Sequence, residues 1–208
     1  MTARAISEEL HEAFGGIDIY LFDQLLRGRF DRRPRVLDAG CGHGRNLPYL
    51  LTHGFEVFAT DADEAAVTAT RRLFADLAPH LPVGNVHRGA VESLPFGDGS
   101  VDAVISSAVL HFARDDEHFR AMAGEMWRVL APGGLFFARL ASSIGIERRL
   151  AAPTGRQQLP DGSERFVMDE ATLIALTQSL GGRLLDPLKT TIVQGLRAMT
   201  TWVVEKGR

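Results

Sequence analysis

Residues Val36 to Asn46 read V-L-D-A-G-C-G-H-G-R-N, so Asp38 is followed by three glycines at every second position, Gly40, Gly42 and Gly44. Glycine accepts positive φ in a tight turn and has no Cβ to hold a ligand off the backbone. An apolar strand running into such a turn, with a helix starting just past it, aims free N–H groups and a positive dipole end at whatever lies above. The chemistry this suits is the holding of a nucleotide-type cofactor at the carboxyl end of a strand. Further along, Asp61 closes the apolar run Phe55–Thr60, and Ser106-Ser107-Ala108-Val109-Leu110-His111-Phe112 closes another. His111, with an ordinary pKa of about 6.5, is the candidate general base for a hydroxyl or amine. Its competing reading is a histidine that starts a helix or lines the site and moves no proton. His43 is expected to face solvent. His53, His80, His87 and His118 have no ligand spacing, and no metal site is expected.

These residues need elements to hold them. A short apolar strand ends at the glycines, and a helix over about Arg45–His53 stops at Gly54, which tolerates the left-handed conformation. Phe55–Thr60 reads as a second strand, and Asp63 can cap a helix running to about Ala78. Asn85–Arg88 and Val101–Ser106 read as strands on either side of a Gly89–Gly99 loop. A helix over Asp116–Leu130, a turn at Ala131-Pro132-Gly133-Gly134 and a strand over Leu135–Ala141 complete the run. Strand and helix alternating in this way predict a parallel sheet with helices on both faces. Ser142–Met168 has no clean period apart from a short strand near Arg165–Met168, which points to a lid or substrate loop. A helix over Asp169–Leu180 precedes two strands, Arg183–Thr191 and Arg197–Glu205. The link between them is too short for a parallel crossover, so the final pair is antiparallel. Ahead of the core, Ile6, Leu10 and Phe14 share one helical stripe, and a second helix follows the Gly15-Gly16 break.

Composition narrows the function classes. With 208 residues and 45% hydrophobic content, the chain suits one domain with a sizeable core. The formal net charge of −3 gives no global basic field for nucleic acid or an anionic membrane. Five arginines crowd into Arg27–Arg35, and they read as a solvated linker. A single cysteine, Cys41, rules out an internal disulfide and fits a reducing compartment. The stretch Met1–Leu10 has no apolar leader core and no apolar run is long enough to span a bilayer, so a cytoplasmic location is expected.

The order of motifs resembles the class I S-adenosylmethionine-dependent methyltransferases. The resemblance is carried by Asp38-x-Gly40-x-Gly42-x-Gly44, Asp61, Glu92-Ser93-Leu94-Pro95-Phe96 and Val129-Leu130-Ala131-Pro132-Gly133-Gly134. The form L-D-x-G-C-G-x-G-R-N is also similar to small bacterial methyltransferases related to tellurite-resistance enzymes. The family implies a Rossmann-like α/β fold, a seven-stranded mostly parallel sheet with an antiparallel final strand. A single methyltransferase domain, 1–208, would then comprise a helical cap (1–34), a cofactor-binding core (35–141), a lid or substrate loop (142–168) and a closing helix and strand hairpin (169–208). S-adenosylmethionine would contact Asp38, Gly40, Cys41, Gly42, Gly44, Asn46, Asp61, Ala62, Val91, Glu92, Ser106 and His111. Within that set, Asp38 would meet the cofactor's ammonium group, Asp61 both ribose hydroxyls, and Val91 with Glu92 the adenine edge. One departure stands out. The family often has an acidic residue after the position of Gly89, whereas this chain has Ala90, which leaves the adenine to backbone groups or Glu92.

Two rivals share parts of the pattern. A NAD(P)-dependent oxidoreductase would use G-x-G-x-x-G, but here the glycines alternate strictly and Arg45 stands where the third glycine belongs. The acidic Asp38 also suits an ammonium group better than a pyrophosphate. A non-catalytic S-adenosylmethionine-binding module is the other. The segment after Val101–Ser106 lacks the Asn/Asp-Pro-Pro-Tyr/Phe signature of enzymes that methylate base amines, so a small-molecule acceptor is expected and nucleic acid is disfavoured. Trp127 and Trp202 read as core residues. Arg148, Arg149, Arg156 and Arg165 read as a solvated loop face, with a substrate anion as the competing reading.

Overall fold

A computed structural model describes residues 5–208; the first four residues of the amino-terminal stretch lie outside it. Two helices come first, α1 (Ile6–Phe14) and α2 (Ile19–Leu26), parted at Gly15-Gly16. Then β1 (Arg35–Ala39), α3 (Pro48–Thr52), β2 (Glu56–Asp61), α4 (Glu64–Leu77), β3 (Val86–Arg88), β4 (Val101–Ser107), α5 (Asp116–Val129) and β5 (Leu130–Ser142) alternate. The remainder is β6 (Gly155–Gln158), β7 (Glu164–Val167), α6 (Glu170–Ser179), β8 (Gly182–Leu184), β9 (Lys189–Val193) and β10 (Arg197–Lys206).

The main sheet runs β3-β2-β1-β4-β5-β10-β8, with β9 also on β10. The strands from β3 to β5 are parallel to one another, whereas β10 is antiparallel to β5, β8 and β9. The strand expected over 183–191 is two strands, β8 and β9. Pro187 lies between them and offers no N–H to a ladder. Because β9 pairs with 197–201 and β8 with 204–206, the two fill a single position along β10.

Successive side chains of a strand face opposite sides, and the sheet uses both. Leu37, Val104, Phe136, Ala138, Trp202 and Val204 belong to a core that includes Phe119, Met122 and Met126 of α5 and Leu173 of α6. Val36, Val57, Ala103, Ile105, Phe137 and Val203 join Leu21, Leu50, Leu51, Val67 and Phe74 in a second core under α2, α3 and α4. The expected helices on both faces follow from this division. Trp202 is fully buried, and its indole N–H donates to Thr177 Oγ1 at 2.9 Å, which satisfies the one polar atom it carries into the core. Trp127 packs in the same core.

Three local expectations need correction. The helix after the glycines starts at Pro48 and has five residues, because 42–46 is spent in consecutive turns and proline is suited to the first helical position. The segment 142–168 is not featureless, since β6 and β7 form an antiparallel hairpin with Gly155 opposite Val167 and Gln158 opposite Glu164. Phe166, Val167 and Met168 are buried, and Phe166 stacks on Phe119 at 5.3 Å. Four arginines of the 27–35 run are paired, so the solvated-linker reading fails for them. Arg29 meets Asp186 at 2.9 Å, Arg33 meets Glu205 at 3.1 Å, Arg35 meets Asp102 at 2.6 Å, and Arg27 meets Asp23 at 2.9 Å. The first three fasten the approach to β1 onto the carboxyl-terminal strands and β4.

Candidate active site

The glycine turn is built by clamps from two sides. The N–H groups of Gly40 and Cys41 both donate to Thr60 O, at 2.8 and 2.9 Å, which folds the chain over the end of β2. Asp61 Oδ2 accepts from Gly42 N–H at 2.8 Å, and Thr70 Oγ1 on α4 donates to Gly42 O at 2.9 Å. Gly40 has φ 79°, and a Cβ there would stand 2.5 Å from a Val109 methyl carbon, so packing forbids a side chain. Gly42 has φ 54°, and a Cβ there would meet nothing within 4 Å. Open space over Gly42 marks the ligand side of the turn.

That space is a cavity of about 600 Å³, within the range of small-molecule and cofactor sites. Of the residues expected from sequence, Gly40, Cys41, Gly42, Asn46, Asp61, Ala62, Val91 and Glu92 line it, at the carboxyl ends of β1 and β2 and in the loop after β3. Gly44, with φ 76°, supports the turn from outside the lining. Asp38, Ser106 and His111 also lie outside it. Ser107, Ala108 and Phe112 of the segment singled out in the sequence also line it, as do Arg45 and His118, which were not expected there, and His43, which is exposed to solvent as expected and borders the opening. Ala90 borders the cavity where the family often has a carboxylate.

Burial sets the chemistry of the acidic groups. Asp38 is 1% exposed, and neither carboxylate oxygen makes a well-aligned hydrogen bond among the described residues, although the Asn46 side chain lies close enough to favour its ionised form. Its pKa is pushed up to about 7, chiefly by burial; the Arg45 charge opposes the shift and the Asp61 charge adds to it. Asp61 differs, because Oδ2 holds Gly42 N–H and Oδ1 accepts from Asp63 N–H at 2.9 Å. A carboxylate has about four lone-pair sites, so acceptor capacity remains toward the cavity. Burial pushes the Cys41 thiol up to about 12, which removes it as a nucleophile at neutral pH. His118 accepts from Arg114 N–H at Nδ1, 3.1 Å, which puts its ring proton on Nε2. That nitrogen lies 3.1 Å from a Glu92 oxygen, at an angle that makes no straight hydrogen bond.

A buried polar group joins the cap to the core. Asp18, the N-cap of α2, donates its N–H to Asn46 Oδ1 at 3.0 Å. Its Oδ2 accepts from Ser107 Oγ at 3.1 Å and from Arg139 at 3.2 Å, while Arg45 donates to Ser107 Oγ at 2.8 Å. Asn46 is therefore held by the cap as well as bordering the cavity.

Beside this cavity lies a second, of about 390 Å³, and the two share Ala108 and Phe112 as a common wall. His111 lines the second cavity. It is 5% exposed, its Nδ1 has no partner among the described residues, and burial aided by Arg165 and Arg139 lowers its pKa to about 4. Ala108 has φ 66°, a left-handed conformation that a non-glycine residue adopts at a cost. Its N–H donates to Arg139 O at 2.8 Å, which holds it there.

The fit to S-adenosylmethionine can be judged on these groups. A cavity over an open glycine, an Asp61 with spare acceptor sites and an unpaired buried carboxylate beneath the turn suit a ligand with ribose hydroxyls and an ammonium group. The sequence profile of a family described as a methyltransferase domain matches residues 37–138, the stretch that builds this site. Over these residues the chain carries an S-adenosylmethionine-dependent methyltransferase domain. An uncharacterized methyltransferase of Bacillus subtilis is 31% identical over 134 residues, 64% of this chain and 49% of that relative. The phthiotriol/phenolphthiotriol dimycocerosates methyltransferase of Mycobacterium tuberculosis is 34% identical over 104 residues, 49% of this chain and 36% of that one. The chain thus spans about half the length, or less, of these curated relatives. Among solved structures, the 1,6-didemethyltoxoflavin-N1-methyltransferase of Burkholderia thailandensis, with its substrate and S-adenosylhomocysteine bound, superposes with a TM-score of 0.69 at 18% identity. That match covers 97% of this chain and 87% of the other, and it concerns the fold. S-adenosylmethionine is the cofactor of this methyltransferase family, and the likenesses favour neither a nicotinamide-dependent oxidoreductase nor a non-catalytic module. Among the described residues no helix is long and apolar enough to cross a membrane, and no group of three or more His, Cys, Asp or Glu could hold a metal ion.

Proposed function

We propose that this chain moves the methyl group of S-adenosylmethionine to a small-molecule acceptor by in-line displacement. The observation that carries the reading is the 600 Å³ cavity over Gly42, flanked by Asp61 and meeting a second cavity at Ala108 and Phe112. When bound, the cofactor supplies an electrophilic methyl group on a sulfonium leaving group. The protein's task is then to position a nucleophile and exclude water. Asp61 accepts the ribose hydroxyls while fastening the turn through Gly42. Asp38 faces the ammonium group from beneath the glycines. Backbone groups of Ala62 and Val91, with Glu92, border the adenine. Ser106 and Gly44 shape the floor from behind.

His111 fits the role of an uncharged wall. Its conjugate acid, with a pKa near 4, is too strong for the imidazole to be an effective base toward a hydroxyl or ammonium group. His111 therefore does not take the nucleophile's proton. Residues 35–141 act as the cofactor-binding core, 1–34 as a cap and 142–168 as a substrate wall, with 169–208 closing the sheet, all within one domain. The size of the second cavity suits a small molecule, and pairing of the arginine run removes the main basic feature that would favour RNA.

Calorimetry with S-adenosylhomocysteine tests the reading. Tight binding is expected, with none of a nicotinamide dinucleotide. Asp61→Ala is expected to weaken it by about 1–3 kcal/mol, the usual range for stranding polar partners. An unchanged dissociation constant for Asp61→Ala would place the ribose elsewhere.

A further inference from the structure

The second cavity is charged in one sense only. Arg139, Arg165 and Arg197 line it together with His111, and no carboxylate does. Arg139 is balanced by Asp18 and stacks over Tyr20 at 5.1 Å. Arg165 and Arg197 have no carboxylate partner within ion-pair distance among the described residues. Arg165 lies over the Phe112 ring at 5.1 Å and donates to Glu164 O at 2.7 Å, so a planar fork is held at the wall shared with the cofactor cavity. The acids nearest by sequence are occupied. Glu164 pairs with Arg156 at 2.9 Å, and Asp161 accepts from Ser163 N–H and Oγ at 3.0 and 2.6 Å, feeling Arg197 and Arg165 as weaker influences. Burial is the main cause of the depressed basicity of His111, and the charges of Arg165 and Arg139 add to it.

Arg165 and Arg197 are balanced only at a distance, by Asp161; guanidinium groups without a direct ion pair in a concave site suit an anion, and a guanidinium fork matches a carboxylate or phosphate in geometry. Of the rest of the lining, Leu159, Val193 and Met199 are apolar, and Ser163 and Thr191 bring hydroxyl groups. We infer that the acceptor is a small organic anion, an apolar body carrying an acidic group that Arg165 and Arg197 hold while its nucleophile faces the Ala108 and Phe112 wall. This rests on the methyltransferase reading for the nucleophile and not for the anion site. The carboxylate is the favoured acidic group, and a phosphate ester would present the same shared chemistry.

The test uses protein saturated with S-adenosylhomocysteine, whose own binding is measured first; failure at that step would sink the cofactor reading and leave the anion site to be judged separately. The protein is titrated by calorimetry, with and without that ligand, with phenylacetate, 4-phenylbutyrate and indole-3-acetate, with their primary amides, and with phenyl phosphate. At least one acid is expected to bind tenfold or more tighter than its amide, since charge-assisted hydrogen bonds are lost in the amide. Arg165→Gln with Arg197→Gln is expected to abolish that preference while the affinity for S-adenosylhomocysteine stays within twofold, and Arg165→Lys to restore part of it. Tighter binding of phenyl phosphate than of every carboxylate would assign the site to phosphate esters. Equal binding of acids and amides, binding of neither, or an acid preference that survives the double substitution would overturn the inference.

Discussion

Asp38 makes the sharpest prediction because its burial is nearly complete and no cationic side chain among the described residues is hydrogen-bonded to it. In the folded protein its pKa rises from 3.8 to about 7. The native state therefore holds a proton that the unfolded state has released, and stability falls as pH rises through that window. The slope approaches 1.36 kcal/mol per pH unit between the two values and flattens above the upper one. Between pH 5 and pH 8 the loss amounts to about 2.5 kcal/mol. Asp38→Asn keeps the shape and removes the titration, so its stability relative to the wild type should rise by about that amount over the same interval, whatever fixed offset the amide introduces. Urea unfolding of both proteins without ligand at pH 5, 6, 7 and 8 reads this directly, since all other titrating groups cancel in the difference. Ligand binding supplies the second half. If an ammonium group meets the ionised carboxylate, the affinity of the wild type for S-adenosylhomocysteine rises with pH up to about 7, and that of the Asp38→Asn variant does not. Parallel stability curves for the two proteins would refute the burial argument, and parallel affinity curves would refute the ammonium contact.

Two further outcomes are expected. His111 should stay uncharged through pH 5.5–7.5, so its imidazole resonances in histidine-labelled protein should not titrate there, and a midpoint near 6.5 would show an open, hydrated ring; His111→Ala should retain S-adenosylhomocysteine binding. The glycines should separate by function: Gly40→Ala, whose Cβ falls 2.5 Å from Val109, should lower the melting temperature sharply, whereas Gly42→Ala should cost about 1–2 kcal/mol of left-handed backbone strain and act mainly on cofactor affinity. Equal dissociation constants for wild type and Gly42→Ala would mean that the ligand does not approach the turn.

The parts of the fold carried by local rules were legible in the sequence. Asp63, Asp115 and Asp169 cap the helices that follow them through side-chain bonds to backbone N–H groups, and strand hydrophobicity reads directly where both faces are buried, as in Val101–Ser107. What the sequence hid depends on contacts between distant segments. Of the hairpin in 155–167, only the strand near Arg165–Met168 was expected; its partner, G-R-Q-Q, alternates between half-buried and exposed residues and has no apolar period to announce it. Asp18 carries no motif of its own, yet it joins Asn46, Ser107 and Arg139 across as many as 121 positions in the chain. The arginine run was misread for the same reason, because the acids that pair with Arg29, Arg33 and Arg35 lie 67 or more positions away.

That division also explains why the cofactor half of the site could be read and the acceptor half could not. The cofactor cavity is assembled from the ends of consecutive strands, so its residues sit in short motifs of fixed spacing. The acceptor cavity takes Arg139 from β5, Arg165 from β7, Thr191 and Val193 from β9 and Arg197 from β10. β5, β9 and β10 meet because β10 lies antiparallel between the other two, and β7 reaches them beside the end of β5, where Ser142 bridges to Met168. Its charge is visible once the sheet is closed, and each arginine alone is an ordinary surface residue. If the second cavity takes the acceptor as proposed, the reversed last strand is what gathers the residues that choose it.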